Sequence, residues 1–275
     1  MIAASTFLCM SQTNTDLTES LHQFVTIWKM LGRPFPRVDQ MDQAGLAISW
    51  PNTEFPFYNA LFLTEQLTDA QVLQDRVQAA AAYMRARPSG GLFVFCLDNV
   101  SGAAKEALST ILTQAKFVQA IPMTGMAGDI LPMAAPGHPA LRFKRILDEA
   151  TIQDFAELNC VSYGVPVETG RSLVKEHSLW HEHAYGFVGY AGDKAVSTAT
   201  AIISESRLFL FLVATMPEAR CKGYGEAVVR LALQTAYEAT GIRRTVLHAT
   251  EAGYPLYLRL GYHPTAKFMG CMLGS

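Results

Sequence analysis

The chain has 275 residues, half of them apolar, with a formal charge of -2 and no block of like charges. That balance supplies a substantial core for one large or two small domains; it excludes a basic nucleic-acid surface and an acidic tail, and makes a small molecule the expected partner. Five scattered cysteines (Cys9, Cys96, Cys160, Cys221 and Cys271) lack C-x-x-C spacing, which excludes a disulfide framework or zinc site and reads as reduced thiols in a cytoplasmic protein. No apolar run reaches the ~18 residues of a bilayer span, and the apolar start from Ile2 to Met10 has no basic segment before it, so neither a signal peptide nor membrane association is expected.

In chain order, Leu46 to Trp50 and Tyr58 to Thr64 read as strands separated by Pro51 and Pro56. Thr68 and Gln71 have capping-box spacing and open a helix with Val72, Leu73, Val77, Ala80, Ala81 and Met84 on one face, stopped by Pro88-Ser89-Gly90-Gly91. Leu92 to Leu97 is a short buried strand, Ala103 to Ala115 a second helix, and Phe117 to Met126 extended chain. From Ala127 to Ala140 prolines and glycines displace any periodicity, which sets a division into residues 1–130, a linker 131–140 and a domain 141–275.

The second half begins with a strand at Arg142 to Leu147, a helix from Thr151 to about Tyr163 and a helical segment from Glu168 to Leu179. Tyr185 to Tyr190 and Ala195 to Ile203 form a hairpin, and Ser204-Glu205-Ser206 turns the chain into an apolar strand from Leu208. That strand runs into Pro217-Glu218-Ala219-Arg220-Cys221-Lys222-Gly223-Tyr224-Gly225 and a helix to Thr240, ended by Gly241. Arg243 to His248, Ala252 to Leu260 and Lys267 to Leu273 complete the order as strand, helix and strand. A strand, a glycine-rich turn and a helix N-terminus make an anion cradle: Gly223 and Gly225 leave room for a phosphate, the amides from Cys221 to Glu226 supply donors, and Arg220 and Lys222 add positive charge.

Together these signatures resemble the GCN5-related N-acetyltransferase (GNAT) superfamily over 141–275. The family's Pro-x-x-Arg and [RQ]-x-x-G-x-[GA] segment stands at Pro217 to Gly225, and its Tyr-x-x-x-Gly-[Phe/Tyr] segment at Tyr257 to Tyr262, preceded by Ala249-Thr250-Glu251-Ala252-Gly253. The resemblance implies an α/β (α+β) fold with a mixed, mostly antiparallel sheet flanked by helices. It also implies transfer of an acetyl group from acetyl-CoA, as cosubstrate, to a small-molecule or peptide amine by direct attack in a ternary complex. CoA would lie on Arg220, Cys221, Lys222, Gly223, Tyr224, Gly225 and Glu226, with its pantetheine arm along Val213, Ala214 and Thr215 and with Thr250 nearby; no metal is implied. Tyr257 would be the general acid. For the base, His248, Glu205 and Glu251 stand open, His248 first. A non-catalytic CoA sensor, a different acyl donor and a homodimer also remain compatible.

The segment Glu176 to His183 holds three histidines without H-E-x-x-H spacing, and reads as an acceptor-site lining or a solvated face rather than a metal site. The end of the first half parallels the end of the second when Lys116 is set against Gly261, which suggests a tandem repeat. The first copy would have lost its site, with Thr64 to Asp69 in place of the glycine loop and Leu112 in place of Tyr257. It would bind no CoA and would offer Trp50, Phe55, Phe57 and Tyr58 as a wall of the acceptor pocket.

Overall fold

A computed structural model describes residues 2–130, 137–168, 170 and 177–274, leaving aside the side chains of 2–14, 177 and 178. The chain forms two compact units: residues 1–127, 248–257 and 263–275 make the first, and 128–247 with 258–262 the second. The compact units therefore cross the linear division at 131–140, because the last strand folds with the first unit. Part of that linker and most of 168–176 lie outside the described residues.

The first unit opens with helix α1 (Ile2–Gly32), followed by β1 (Asp39–Gln43), β2 (Leu46–Trp50), β3 (Ala60–Leu63), α2 (Ala70–Arg85), β4 (Leu92–Cys96), α3 (Gly102–Gln114) and β5 (Phe117–Asp129). With the C-terminal strand β11 (His263–Leu273), its strands lie in the order β1-β2-β3-β4-β11-β5. All neighbours pair antiparallel except β3 and β4. Strands β2, β3 and β4 are buried along their whole length, which is why they read as continuous apolar runs. One face packs on α2 and α3 through Leu73, Val77, Ala81, Ile111 and Leu112; the other packs on α1 through Leu21 and Phe24.

Helix α1 and strand β1 go beyond the elements read from sequence. The apolar positions Leu17, Leu21, Phe24, Trp28 and Leu31 recur at the three- and four-residue spacing of a helix stripe, a signal present in the sequence. Helix α2 starts one residue later than the proposed capping box: the Asp69 carboxylate accepts from the amides of Gln71 and Val72, at 2.8 and 3.0 Å. A carboxylate is a stronger cap acceptor than a threonine hydroxyl and wins the position.

The second unit contains β6 (Arg142–Arg145), α4 (Glu149–Tyr163), α5 (His177–Glu182), β7 (Ala184–Ala191), β8 (Lys194–Ser204), β9 (Arg207–Thr215), α6 (Tyr224–Thr240) and the start of β10 (Arg244–Ala249). Its strand order is β10-β9-β8-β7-β6, antiparallel except for β10 with β9. Helix α4 is capped by Asp148, whose carboxylate accepts from the Thr151 amide at 2.8 Å, and ends at Gly164. Helix α6 buries Val228, Val229, Ala232, Leu233 and Ala236, an apolar face at helical spacing. The short helix α7 (Tyr254–Arg259) spans the boundary between the units in sequence.

The order hairpin, strand, helix, strand, helix, strand thus occurs twice, as β1 to β5 and as β7 to β11. Lys116 and Gly261, the two positions matched in the repeat, both take positive φ, 62° and 93°, at the ends of α3 and α7. Each unit is a mixed, mostly antiparallel sheet flanked by helices, the class expected from the sequence.

Candidate active site

Within the second unit, strand β9 carries three features that the unbroken apolar run Leu208 to Ala214 did not disclose. Its register against β8 slips between Thr198, opposite Ala214, and Thr200, opposite Phe211. Leu212 and Val213 therefore oppose one residue, and Leu212 takes φ 50°, so this is a β-bulge that re-aims the backbone. Pairing with β10 covers only Leu208 and Phe209, which leaves the other edge of β9 from Leu210 onward outside that ladder. The Ser197 hydroxyl donates to the Ala214 carbonyl at 3.0 Å, and the Tyr163 hydroxyl donates to the Val213 carbonyl at 3.4 Å, fixing the bulged segment.

A 3-10 turn at Pro217–Ala219 then delivers the glycine loop. Arg220 Nε donates to the Thr215 carbonyl at 3.2 Å, tying the loop back to the strand end. Cys221 and Gly223 take φ 60° and 78°, and Arg220, Cys221, Lys222 and Gly223 are exposed. Gly223 is the N-cap of α6, yet no side chain caps that helix. The first-turn amides of Tyr224, Gly225 and Glu226 therefore have no side-chain cap, at the positive end of a 17-residue helix dipole. The Glu226 carboxylate, which could otherwise cap its own helix, is paired with Arg230 at 2.8 Å and Arg259 at 3.9 Å. One wall of the loop was not read from the sequence at all: the His138 ring stands edge-on to Tyr224, with centroids 4.9 Å apart.

The remaining predicted site residues, Glu205 excepted, fall in the first unit. Tyr257 is buried on α7, 7 % exposed, and its amide donates to the Gly253 carbonyl at 3.4 Å. Thr250 and Glu251 line a shallow cleft of about 430 Å³ with Ala120, Ile121 and Pro122. His248 lies stacked on Phe24 at 3.8 Å and edge-on to Phe268 at 4.7 Å, with Ser20 Oγ 3.2 Å from its Nε2. This apolar packing desolvates the ring and pushes its pKa down to about 3, though an edge keeps some contact with solvent. Glu205 sits exposed in the two-residue turn between β8 and β9 with φ 54°.

The first unit supplies a contrast at the corresponding parallel strand pair. Strands β3 and β4 pair over four residues, and a further bridge joins Leu67 to Val100. The Leu67 amide donates to the Asn99 carbonyl at 2.8 Å and the Ser101 amide to the Leu67 carbonyl at 2.9 Å. The wedge that is open beside β9 is laced shut here. Glu65 pairs with Arg76 at 2.5 Å, Asp69 caps α2, and Leu112 is core, 2 % exposed. Trp50 is fully buried and so cannot line an acceptor pocket; only Phe55, Phe57 and Tyr58 keep exposed faces, clustered edge to face on the turn before β3.

The histidine segment is described only in part. His181 lies in the last turn of the short helix α5, Trp180 packs edge-on to Phe155 at 4.8 Å, and among the described residues no three potential metal ligands converge.

A bulged strand with one open edge, followed by an uncapped helix over a glycine loop, offers backbone donors to an anion and a strand edge to an extended ligand. The sequence profile described as the acetyltransferase (GNAT) family matches residues 152–262. No curated protein matches the chain. Among solved structures, a GCN5-related N-acetyltransferase from Kribbella flavida superposes with TM-score 0.67 at 13 % identity, over 92 % of this chain and 95 % of that one. A GCN5-related N-acetyltransferase from Sphaerobacter thermophilus gives 0.57 at 14 % identity, over 87 % and 83 %. A tandem GNAT protein from the clavulanic acid biosynthesis pathway gives 0.56 at 12 % identity, over 94 % and 96 %. Residues 152–262 thus match the acetyltransferase (GNAT) family, and the fold of the chain is shared with solved GNAT structures.

Proposed function

We propose that this protein transfers the acetyl group of acetyl-CoA to a small-molecule or peptide amine by direct attack in a ternary complex. The observation that supports this most is the uncapped, positive-φ start of α6 directly after the bulge of β9. The amides of Tyr224, Gly225 and Glu226, with Cys221, Gly223 and the cations Arg220 and Lys222, hold the diphosphate. The open edge at Val213, Ala214 and Thr215 takes the amides of the pantetheine arm as a neighbouring strand would, and Thr250 contributes a hydroxyl. A backbone N-H freed by the bulge polarises the thioester carbonyl.

The amine nitrogen then bonds to that carbonyl carbon, the carbon–sulfur bond breaks, and the sulfur leaves as thiolate. Tyr257 gives the thiolate a proton in this reading and is reprotonated from solvent. The amine's own proton passes to solvent. A base works best with a pKa near the operating pH, and a ring held at about 3 is a weak acceptor, so we assign His248 to packing and have the substrate arrive as the free amine.

The test is a thiol-release assay with acetyl-CoA over a broad amine panel, run beside CoA binding by calorimetry. Thiol release that depends on the amine supports the transferase. Tight CoA binding without release across the panel would replace it with a CoA sensor.

A further inference from the structure

His138 lies outside both family signatures, in a stretch read from the sequence as linker, yet it stands at the mouth of the glycine loop. Its position is tightly specified. Pro139 restricts the backbone of the residue before it to extended conformations. The His138 carbonyl accepts from the Leu141 amide at 2.9 Å, and its Nδ1 accepts from the Ala140 amide at 3.2 Å. With Nδ1 used as an acceptor, the proton of the neutral ring resides on Nε2, which is thereby a hydrogen-bond donor. Tyr224 meets the ring at an interplanar angle of 90° and sets its tilt. A methyl group built on Gly223 would lie 3.7 Å from both Nε2 and Cδ2 of His138. The donor edge of the imidazole therefore overlooks the volume that Gly223 leaves open.

We infer that His138 is a cosubstrate-binding residue whose Nε2-H donates to a diphosphate oxygen of CoA on the side of the cradle opposite the α6 amides. The inference rests on the reading of residues 220–226 as the CoA cradle. It gives the end of the linker a role in the site: once CoA is bound, the diphosphate is held from two sides, by the start of α6 and by a side chain contributed from before β6.

The test is calorimetric binding of CoA and of dephospho-CoA to the full-length wild type, His138→Ala and His138→Gln, with melting of each unliganded protein. A hydrogen bond to a charged oxygen predicts that His138→Ala weakens CoA and dephospho-CoA alike by about tenfold. His138→Gln, whose amide carries a donor near the Nε2 position, should retain most of the wild-type affinity, and the melting temperatures should coincide. Wild-type affinity in His138→Ala overturns the inference, as does a loss confined to CoA, which would move the contact to the 3′-phosphate. Equal loss in the Gln and Ala variants, or a loss matched by lower unliganded melting, assigns packing to His138 and also overturns it. A wild type that binds neither ligand overturns the cradle reading itself, an outcome distinct from the others.

Discussion

Replacing Gly223 by alanine separates the two roles that the cradle reading gives this residue. At φ 78° an alanine carries a left-handed penalty of about 1–2 kcal/mol, because its Cβ crowds the following carbonyl. Among the described residues nothing else resists the methyl group: its nearest neighbours are His138 atoms at 3.7 Å, ordinary van der Waals contact. For a chain of this size each kcal/mol lowers the melting temperature by about 2–4 °C, so the variant should melt roughly 2–8 °C below the wild type. Gly192→Ala is the matched control. It has φ 62° in the β7–β8 turn and, among the described residues, nothing within 4 Å of the new methyl, so it should show the same melting loss. The two variants part in CoA binding, because only the methyl on Gly223 enters the volume reserved for the diphosphate. Calorimetry should give at least a tenfold weaker affinity for Gly223→Ala, a change of about 1.4 kcal/mol or more, and an unchanged affinity for Gly192→Ala. Equal CoA affinity in both variants would refute the cradle, and a far larger melting loss for Gly223→Ala would refute the claim that its cost is one of backbone conformation alone.

Tyr257→Phe should lower kcat by about 100-fold or more while CoA affinity stays at the wild-type value; an unchanged kcat in a folded variant removes the tyrosine from proton transfer. His248 makes stability depend on pH in a stated direction. Its folded pKa lies below its ordinary 6.5, near 3, so the unfolded chain binds more protons in between; the neutral ring's contribution is complete above about pH 6.5 and is lost as pH falls toward 3. The slope is at most about 1.4 kcal/mol per pH unit, softened by the ring's partial solvent contact, and His248→Leu should flatten it in denaturant titrations between those limits. A chain cut after Tyr262 lacks β11, which pairs with both β4 and β5. It should fail to form the first unit by circular dichroism and limited proteolysis, whereas a cut that removed only an appendage of the second unit would leave the first unit protected.

Much of the candidate site was legible in the sequence because its parts are local. Gly223, Gly225 and the apolar face of α6 lie within one strand–turn–helix segment, where φ requirements and helical spacing are written residue by residue. Most helices and strands were readable for the same reason, from Leu46–Trp50 at β2 to the end of α6 at Gly241. The bulge at Leu212 was not, since neither glycine nor proline marks it and it exists only as a register slip against β8. His138 was hidden for a related reason: a histidine between a glycine and a proline looks like linker until the fold brings it beside Tyr224.

What the sequence determined by itself is the identity and order of most local elements after β1, the suggestion of a repeat, and the lack of a glycine loop in the first half. Those properties depend on neighbours along the chain. Tertiary structure decided which strand completes which sheet, with β11 between β4 and β5; which wedge is open, beside β9, and which is laced shut through Leu67; and that His248 is clamped by Phe24 and Phe268. Each of these depends on backbone donors and apolar faces far apart in the chain finding one another, and a reading of local pattern carries no term for that pairing.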